Sequence, residues 1–198
     1  MVVFPPSDTI YGKTGEPHKD LLGEPYHPLL QASMHIRAAT TADIPQIRLL
    51  AHEIWHAHYP SIITVEQIHF MLEWMYSPAE IERQLREGPH WEIAELHGQP
   101  IAFTSYGIES DGRVKLHKLY VATAHQRQGI GRELLAHVMT QAARLGGNEV
   151  WLQVNKRNTS AIEAYTKAGF HIEKEATFDI GHGFVMDDYI MCKRTAAS

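Results

Sequence analysis

Five segments of the chain carry apolar residues at spacings of three and four positions, which places those residues on one face of a helix. Capping or stop residues flank several of these segments, such as Thr40 to Asp43 before the first and Gly146-Gly147 after the fourth. The pattern predicts helices at about 44–58, 64–75, 78–88, 130–145 and 159–168.

Seven shorter apolar runs are typical of strands. Turn residues at 97–100 and 110–112 separate three consecutive runs, which predicts an antiparallel meander. The helix at 130–145 lies between two strands, which predicts a right-handed parallel crossover. The predicted strands are 34–37, 90–96, 101–108, 114–121, 150–154, 170–174 and 184–191.

Residues 1–33 lack this periodicity and contain five of the ten prolines. We interpret them as a Pro-rich N-terminal extension that is poorly ordered, either a linker-like tail or an over-long translation start. The tract also has apolar residues, such as Phe4, that would let it dock on the domain. The globular domain is predicted at 34–194, followed by a short tail at 195–198.

Composition narrows the class of protein. The chain has 18 Lys and Arg and 23 Asp and Glu, a formal net charge of −5, which argues against partners such as nucleic acid or an anionic membrane. Its single cysteine, Cys192, excludes an intramolecular disulfide framework and a multi-cysteine metal cluster. Without a signal-peptide pattern or an apolar run of membrane-spanning length, we expect a cytoplasmic location.

The stretch 126–132 has the features of an anion-binding site. Its two glycines allow a ligand to approach the backbone, and the first N–H groups of the following helix have no partner within that helix. The helix dipole, with Arg127 and Arg132, favours a pyrophosphate. A glycine-rich turn with arginines in solvent would show the same pattern. A dinucleotide fingerprint would need glycine in place of Leu134, and the Gly-Lys-Ser/Thr of a Walker-type loop is absent.

Two motifs resemble a known family. Gln126-Arg127-Gln128-Gly129-Ile130-Gly131 matches the Gln/Arg-x-x-Gly-x-Gly/Ala motif of the GNAT superfamily of N-acetyltransferases. The run at 155–170 is similar to that family's second signature, at the spacing that the family shows. Its matching residues are Asn155, Asn158, Ser160, Ala161, Tyr165 and Gly169-Phe170. The resemblance extends from about 34 to 193.

This resemblance implies an α/β (α+β) fold, the GNAT fold. Its central sheet is mixed, mostly antiparallel and twisted, with about seven strands and about four to five flanking helices. The implied activity is transfer of the acetyl group of acetyl-CoA, the co-substrate, to a primary amine by direct attack in a ternary complex, without a metal. The residues assigned to acetyl-CoA are Leu119, Tyr120, Val121, Gln126, Arg127, Gln128, Gly129, Ile130, Gly131, Arg132, Asn155, Asn158, Ala161, Tyr165 and Lys167.

The resemblance also implies roles in the reaction. The N–H of Val121 would point at the thioester carbonyl, where negative charge develops. Tyr165 would protonate the departing thiolate, and Asn158 would hydrogen-bond the pantetheine arm or nearby waters. Taken without the family match, Tyr165 fits a core tyrosine and Asn158 fits a helix N-cap.

An alkylamine is protonated at pH 7, so the reaction needs a route for removing a proton. His117 is the candidate base, because it lies four positions before Val121 and strand alternation would place both on one face. Related enzymes carry glutamate or histidine at the matching position. The alternative is that a chain of water molecules removes the proton and that His117 lies on the sheet surface without a catalytic role.

Two other groups suggest different chemistry. His52-Glu53-Ile54-Trp55-His56 has the His-Glu-x-x-His pattern of zinc proteases, but Tyr59 and Ile62 replace the glycine and histidine of the longer motif. We therefore interpret its histidines and glutamate as surface or acceptor-pocket residues. Cys192 is interpreted as a small buried apolar residue, with no histidine beside it.

The run at 177–191 resembles bacterial polyamine acetyltransferases, which favours a small polyamine-like acceptor. Carboxylates would then face the cationic substrate, or would simply be solvated surface charges. The candidates are Glu53, Glu66, Asp179, Asp187 and Asp188. Two alternatives stay open: a non-catalytic CoA-binding sensor or interaction module, and acetylation of a protein or peptide amine. Related enzymes are often dimers, so a homodimer is also compatible with the resemblance.

Overall fold

The computed structural model describes residues 34–195, which contain seven strands and five α-helices. Predictions for residues 1–33 and 196–198 lie outside the described residues. The strands are β1 (His35–Ala38), β2 (His90–Leu96), β3 (Gln99–Ile108), β4 (Val114–Val121), β5 (Glu149–Asn155), β6 (His171–Gly181) and β7 (Phe184–Arg194). The helices are α1 (Ile44–His58), α2 (Val65–Tyr76), α3 (Pro78–Glu87), α4 (Ile130–Arg144) and α5 (Thr159–Lys167).

All seven strands form one sheet in the order β1-β2-β3-β4-β5-β7-β6. Every neighbouring pair is antiparallel except β4 and β5, which are parallel and are connected through α4. This confirms the predicted fold class, a mixed and mostly antiparallel sheet with flanking helices. Within residues 34–195, no helix is both long enough and apolar enough to span a bilayer.

The last two strands are longer than the sequence predicts. β6 continues to Gly181 and β7 to Arg194, and a two-residue turn joins them at His182 (φ 56°) and Gly183 (φ 76°). Positive φ at both central residues is the geometry of a tight hairpin turn. The prediction ended β6 at Lys174 because this edge strand is exposed along most of its length and therefore lacks the alternation of apolar residues on which the prediction depended.

Two apolar cores lie on opposite faces of the sheet. One packs α4 and α5 against the sheet and includes Leu134, Val150 and Tyr165. The other packs α1, α2 and α3 against it and includes Trp55 and Phe103. Because each face is covered by helices, access to the middle of the sheet is confined to places where its strands separate.

A partly buried ion-pair network connects β1 to the start of α1. The guanidinium of Arg37 donates to both carboxylate oxygens of Asp43 at 2.9 and 2.8 Å and to Glu95 at 2.9 Å. Asp43 also accepts hydrogen bonds from the N–H and hydroxyl of Thr40. These interactions, led by the Arg37 hydrogen bond, lower the pKa of Asp43 from its ordinary value to about 2.

Replacing this carboxylate should have a measurable cost. We expect Asp43→Asn to lower the free energy of unfolding by about 2 kcal/mol at pH 7, because the pKa difference between folded and unfolded states stabilises the charged form. Since the folded-state pKa is depressed, the difference between wild type and variant should be full above pH 4 and shrink as the pH falls toward 2. Urea unfolding at several pH values measures it.

Glu82→Gln is the matched control, since it removes a carboxylate from an exposed pair with Arg86 on α3. Exposed pairs contribute little, so we expect a change below about 0.5 kcal/mol. An Asp43→Asn loss as small as that of the control, or one independent of pH, would contradict the assignment.

Candidate active site

The sheet opens between β4 and β5. The two strands pair only from Val114 to Leu116 and from Val150 to Leu152, yet β4 continues to Val121 and β5 to Asn155. A gap therefore lies between their carboxyl ends, in the middle of the sheet.

A bulge in β4 lies where this pairing stops. Ser105 of β3 is opposite Lys118 and Tyr106 is opposite Leu116, so His117 is an extra residue in β4. A bulge bends a strand and increases its twist, which accounts for β4 turning away from β5 at this point.

The backbone of Val121 faces the gap. The N–H of Ala122 donates to Ile101 of β3 at 2.8 Å, and because neighbouring residues of a strand direct their backbone groups to opposite sides, the N–H and C=O of Val121 point away from β3. The carbonyl of Val121 accepts from the side chain of Gln126 at 3.0 Å. Its N–H is thereby directed at the position where a ligand would lie.

The amino end of α4 lies after the carboxyl end of β4 and has the geometry of an anion cradle. Gly129 precedes the helix with φ of 86°, and Arg127 also has positive φ, 63°. The N–H of Glu133 donates to Gly129, so the N–H groups of residues 130–132 precede the first intrahelical hydrogen bond. A Cβ built on Gly129 would meet open space, which leaves room for a ligand against the backbone.

Asn158 connects α5 with α1. Its side-chain oxygen accepts from the N–H of Ala161 at 3.3 Å, which caps α5 as predicted. The same oxygen lies 3.2 Å from Nε2 of His58, whose pKa is lowered mainly by burial. Sequence reasoning did not identify His58, because nothing in the pattern distinguishes it from the other histidines.

Tyr165 is fully buried on α5 and packs against Phe170, with ring centroids 5.4 Å apart. Burial, and secondly the proximity of Tyr120, raise the pKa of Tyr165 well above its ordinary value. The phenol is therefore protonated at neutral pH, as a proton donor must be. Of the other residues assigned to acetyl-CoA, Lys167 is exposed and lies 3.8 Å from Glu163.

His117 does not share a face with Val121, contrary to prediction. Leu116 and Leu119 lie in the same apolar core although they are three positions apart, because the bulge interrupts the alternation between them. Burial, followed by Lys118 and Lys115, lowers the pKa of His117 to about 3. This imidazole is neutral at pH 7 and is a weak proton acceptor.

A group of buried polar side chains lies on the face of the sheet that α1, α2 and α3 cover. The sequence analysis did not predict that these side chains lie together. Several polar atoms there have no hydrogen-bond partner outside their own cluster in the described part of the chain, although their side chains are at most 3% exposed. They include Trp55 Nε1, the hydroxyls of Tyr59, Tyr76 and Tyr120, and Oδ1 of Asp188. Trp55 lies in the predicted first helix and Tyr59 directly after it, and nothing in the local spacing gives a signal of a polar site.

The candidate substrate carboxylates differ in environment. Glu53 accepts from the N–H of Thr123 at 3.2 Å and Asp179 from the N–H of Gly181 at 2.8 Å. Asp187 pairs with Lys156 at 2.6 Å, and Glu66 is exposed. Asp188 is the buried member of the set, 1% exposed, and burial raises its pKa to about 6.

A cleft of about 460 Å³ lies beside the carboxyl end of β5. The segment before α2, α2 itself, β5 and β7 line it. The lining residues are Pro60, Ile62, Ile63, Thr64, Gln67, Asn155, Arg157, Val185 and Asp187. Arg157 holds the segment before α2 by donating to the carbonyls of Ile62 and Ser61 at 2.6 and 3.0 Å.

The two groups that suggest different chemistry lie on α1 and on the β6–β7 pair. Nδ1 of His56 lies 2.8 Å from the carbonyl of His52, and no group of three metal-ligating side chains occurs between residues 34 and 195. The expectation that Cys192 has no histidine beside it is wrong, since Nε2 of His171 lies 3.3 Å from its sulfur across the β6–β7 pair. Cys192 is nonetheless buried, and burial raises its thiol pKa to about 11.

Known proteins resemble this chain in sequence. Probable N-acetyltransferase Rv2775 of Mycobacterium tuberculosis is 29% identical over 151 residues, 72% of this chain and 82% of that protein. The [ribosomal protein bS18]-alanine N-acetyltransferase of Escherichia coli is 33% identical over 75 residues, 38% of this chain and half of that protein.

The fold also has a solved counterpart. The PaiA N-acetyltransferase of Thermoplasma acidophilum, in complex with coenzyme A, superposes with a TM-score of 0.71 at 24% identity, over 82% of this chain and 99% of that one. The model of the acetyltransferase (GNAT) family matches residues 50–170, which include the split between β4 and β5, the cradle at the start of α4 and the whole of α5. The chain therefore belongs to the GNAT family and is an N-acetyltransferase.

Proposed function

We propose that the protein transfers the acetyl group of acetyl-CoA to the primary amine of a small, polyamine-like molecule by direct attack in a ternary complex. The observation that carries this proposal is the gap between β4 and β5, which ends at the cradle of α4. A slot bordered by a strand edge and ending at a helix amino terminus suits a linear molecule with a pyrophosphate. Acetyl-CoA supplies the activated acetyl thioester.

The cradle would hold the pyrophosphate. Backbone N–H groups within the stretch from Gln126 to Arg132 would donate to it, next to the open space beside Gly129. The dipole of α4 and two exposed arginines add positive charge. The free edge of β4, from Leu119 to Val121, would bind the pantetheine arm through backbone hydrogen bonds. Asn155 and Asn158 would approach the same arm from the β5 side.

Two groups would act on the thioester. The N–H of Val121 would donate to the carbonyl oxygen as negative charge develops there. Tyr165, protonated at neutral pH, would donate its proton to the departing thiolate. The sequence predicts His117 as the proton acceptor, but burial lowers its pKa to about 3, which leaves the imidazole little basicity.

The charge of the protein and the size of its cleft support a small cationic acceptor. The net charge of −5, the cleft at the end of β5 and the buried carboxylate of Asp188 favour a cationic amine of small size. A peptide amine is the second candidate, which the partial similarity to the ribosomal protein alanine N-acetyltransferase supports. The predicted cytoplasmic location and homodimer belong to the proposal as well.

Acetyl-CoA should stabilise the folded protein. At about 100 times its dissociation constant, a ligand that binds only the native state adds about 2.7 kcal/mol, which shifts the thermal midpoint upward. We expect Gly129→Ala to remove most of this shift, because its methyl group would occupy the open space of the cradle.

Gly98→Ala is the matched control for the cradle. Gly98 also has positive φ, 74°, with open space around it, so both variants carry similar backbone strain. The control should keep the full acetyl-CoA shift. Equal shifts in the two variants would show that the pyrophosphate binds elsewhere.

Tyr165→Phe should slow transfer without weakening acetyl-CoA binding. Loss of a general acid lowers kcat by roughly 10²-fold or more, and the effect should appear as slower release of CoA thiol from spermidine or from a peptide with an N-terminal alanine. Tyr106→Phe, in a buried tyrosine of β3, should keep near wild-type rates. An unchanged kcat in Tyr165→Phe would assign thiolate protonation to solvent.

A further inference from the structure

Four aromatic residues of the second core form one cluster: Trp55, Tyr59, Tyr76 and Tyr120. The ring of Trp55 lies 4.4 Å from that of Tyr59 and 6.4 Å from that of Tyr120, and the ring of Tyr76 lies 6.5 Å from Tyr120. Among the described residues, the polar atoms of these side chains have no hydrogen-bond partner outside the cluster itself. Buried polar atoms that can bond only to one another keep unused hydrogen-bonding capacity, which favours binding of a polar group.

Asp188 adds a carboxylate to this cluster. It lies on β7 opposite Asn155, the last residue of β5, and it is close enough to Tyr120 for its charge to raise the pKa of that phenol. Tyr120 itself is the penultimate residue of β4. Asp188 thus lies beside the carboxyl end of β5, where β4 and β5 are no longer paired.

No cation neutralises Asp188 within the described part of the chain. The ammonium of Lys156 is the nearby positive charge, but it already binds Asp187 at 2.6 Å and Glu175 at 2.8 Å. Asp187 adds a like charge, and Oδ1 of Asp188 accepts no hydrogen bond from residues 34–195. A buried carboxylate with these neighbours favours a cationic ligand.

We propose that Asp188 is the general base of the reaction, and that Trp55, Tyr59, Tyr76 and Tyr120 form with it the pocket that receives an alkylammonium acceptor. Aromatic faces and a carboxylate both attract an ammonium group. The apolar core residues behind them limit the access of water to the pocket. The inference rests on the proposed transfer of an acetyl group and adds the proton acceptor and the charge of the acceptor to it.

The step balances as follows. The ammonium form of the acceptor gives one proton to a carboxylate oxygen of Asp188, and the neutral nitrogen uses its lone pair to attack the acetyl carbonyl. The C–N bond forms, the C–S bond breaks, and Tyr165 gives its proton to the departing thiolate. The nitrogen, which carries two protons after attack, loses one of them to restore the phenol of Tyr165, which leaves the neutral amide. After the acetylated product leaves, Asp188 releases its proton to solvent, which restores the carboxylate.

The environment of Asp188 suits this step better than that of His117. Burial raises the pKa of Asp188 to about 6, with Asp187 acting in the same direction and Lys156 opposing it. The titratable groups facing it are Tyr120 from β4, Asp187 on β7 and Lys156 after β5. A base with a pKa near 6 is ionised at neutral pH and still basic enough to accept a proton in the transition state.

Asp188→Asn tests the proposal. Using whichever of spermidine and the alanyl peptide wild type acetylates faster, we expect kcat to fall by roughly 10²- to 10⁴-fold, with the acetyl-CoA thermal shift retained. In wild type, kcat/KM should fall as the pH drops through about 6, and this limb should be missing from Asp188→Asn. His117→Gln, the variant of the competing base, should retain this limb.

Two further variants test whether Asp188 acts as a base or has only a structural role. Glu175→Gln removes a carboxylate from the same hairpin, also close to Lys156, and should leave kcat and the pH profile unchanged. Tyr120→Phe keeps the carboxylate but removes one polar atom of the pocket, so KM for the amine should rise several-fold while the acidic limb persists.

The outcomes distinguish the two proposals. A wild-type pH limb that survives in Asp188→Asn, or a kcat within threefold of wild type, would overturn the role of Asp188 and leave the acetyl transfer standing. Loss of the limb in His117→Gln instead would assign the base to His117. If acetyl-CoA binds but wild type turns over neither amine, the proposed transfer and this inference fail together.

Discussion

The short parallel pairing of β4 with β5 is the constraint on which the rest of the site depends. Only three residues of each strand are joined, so the remaining residues of β4 keep one edge of N–H and C=O groups without a neighbouring strand. Backbone polar groups in the interior need partners. The fold therefore contains a slot in which the backbone N–H and C=O groups of β4 could pair with a ligand as they would with a neighbouring strand. These groups are held in position by the sheet before any ligand binds.

Electrostatic features of opposite sign lie near the carboxyl end of this slot. The amino terminus of α4 carries the positive end of a 15-residue helix, whereas Asp188 carries negative charge inside the second core. A molecule that is anionic at one end would be oriented by the first, and a cationic partner by the second. The two reacting molecules would thus approach one carbonyl position from different sides of the sheet.

Sequence patterns predicted most of the scaffold and part of the site. Helical spacing located α1 to α5, and the motif from Gln126 to Gly131 pointed to the start of α4, because both depend on residues near one another in the chain. The bulge at His117 depends on pairing with β3, which the alternation of β4 alone does not reveal. Asp188 and Tyr120 belong to distant segments of the chain, so local spacing gave no sign that the charge of one affects the other.

The narrow seam between β4 and β5 also divides the sheet mechanically. Strands β1 to β4 form one antiparallel block and β5 to β7 another, and the sheet joins them through three residue pairs and the crossover of α4. A ligand lying in the slot would bridge the blocks along the length that the protein leaves unpaired. In that case the co-substrate is also part of the architecture, and the rigidity of the sheet varies through each catalytic cycle as the slot fills and empties.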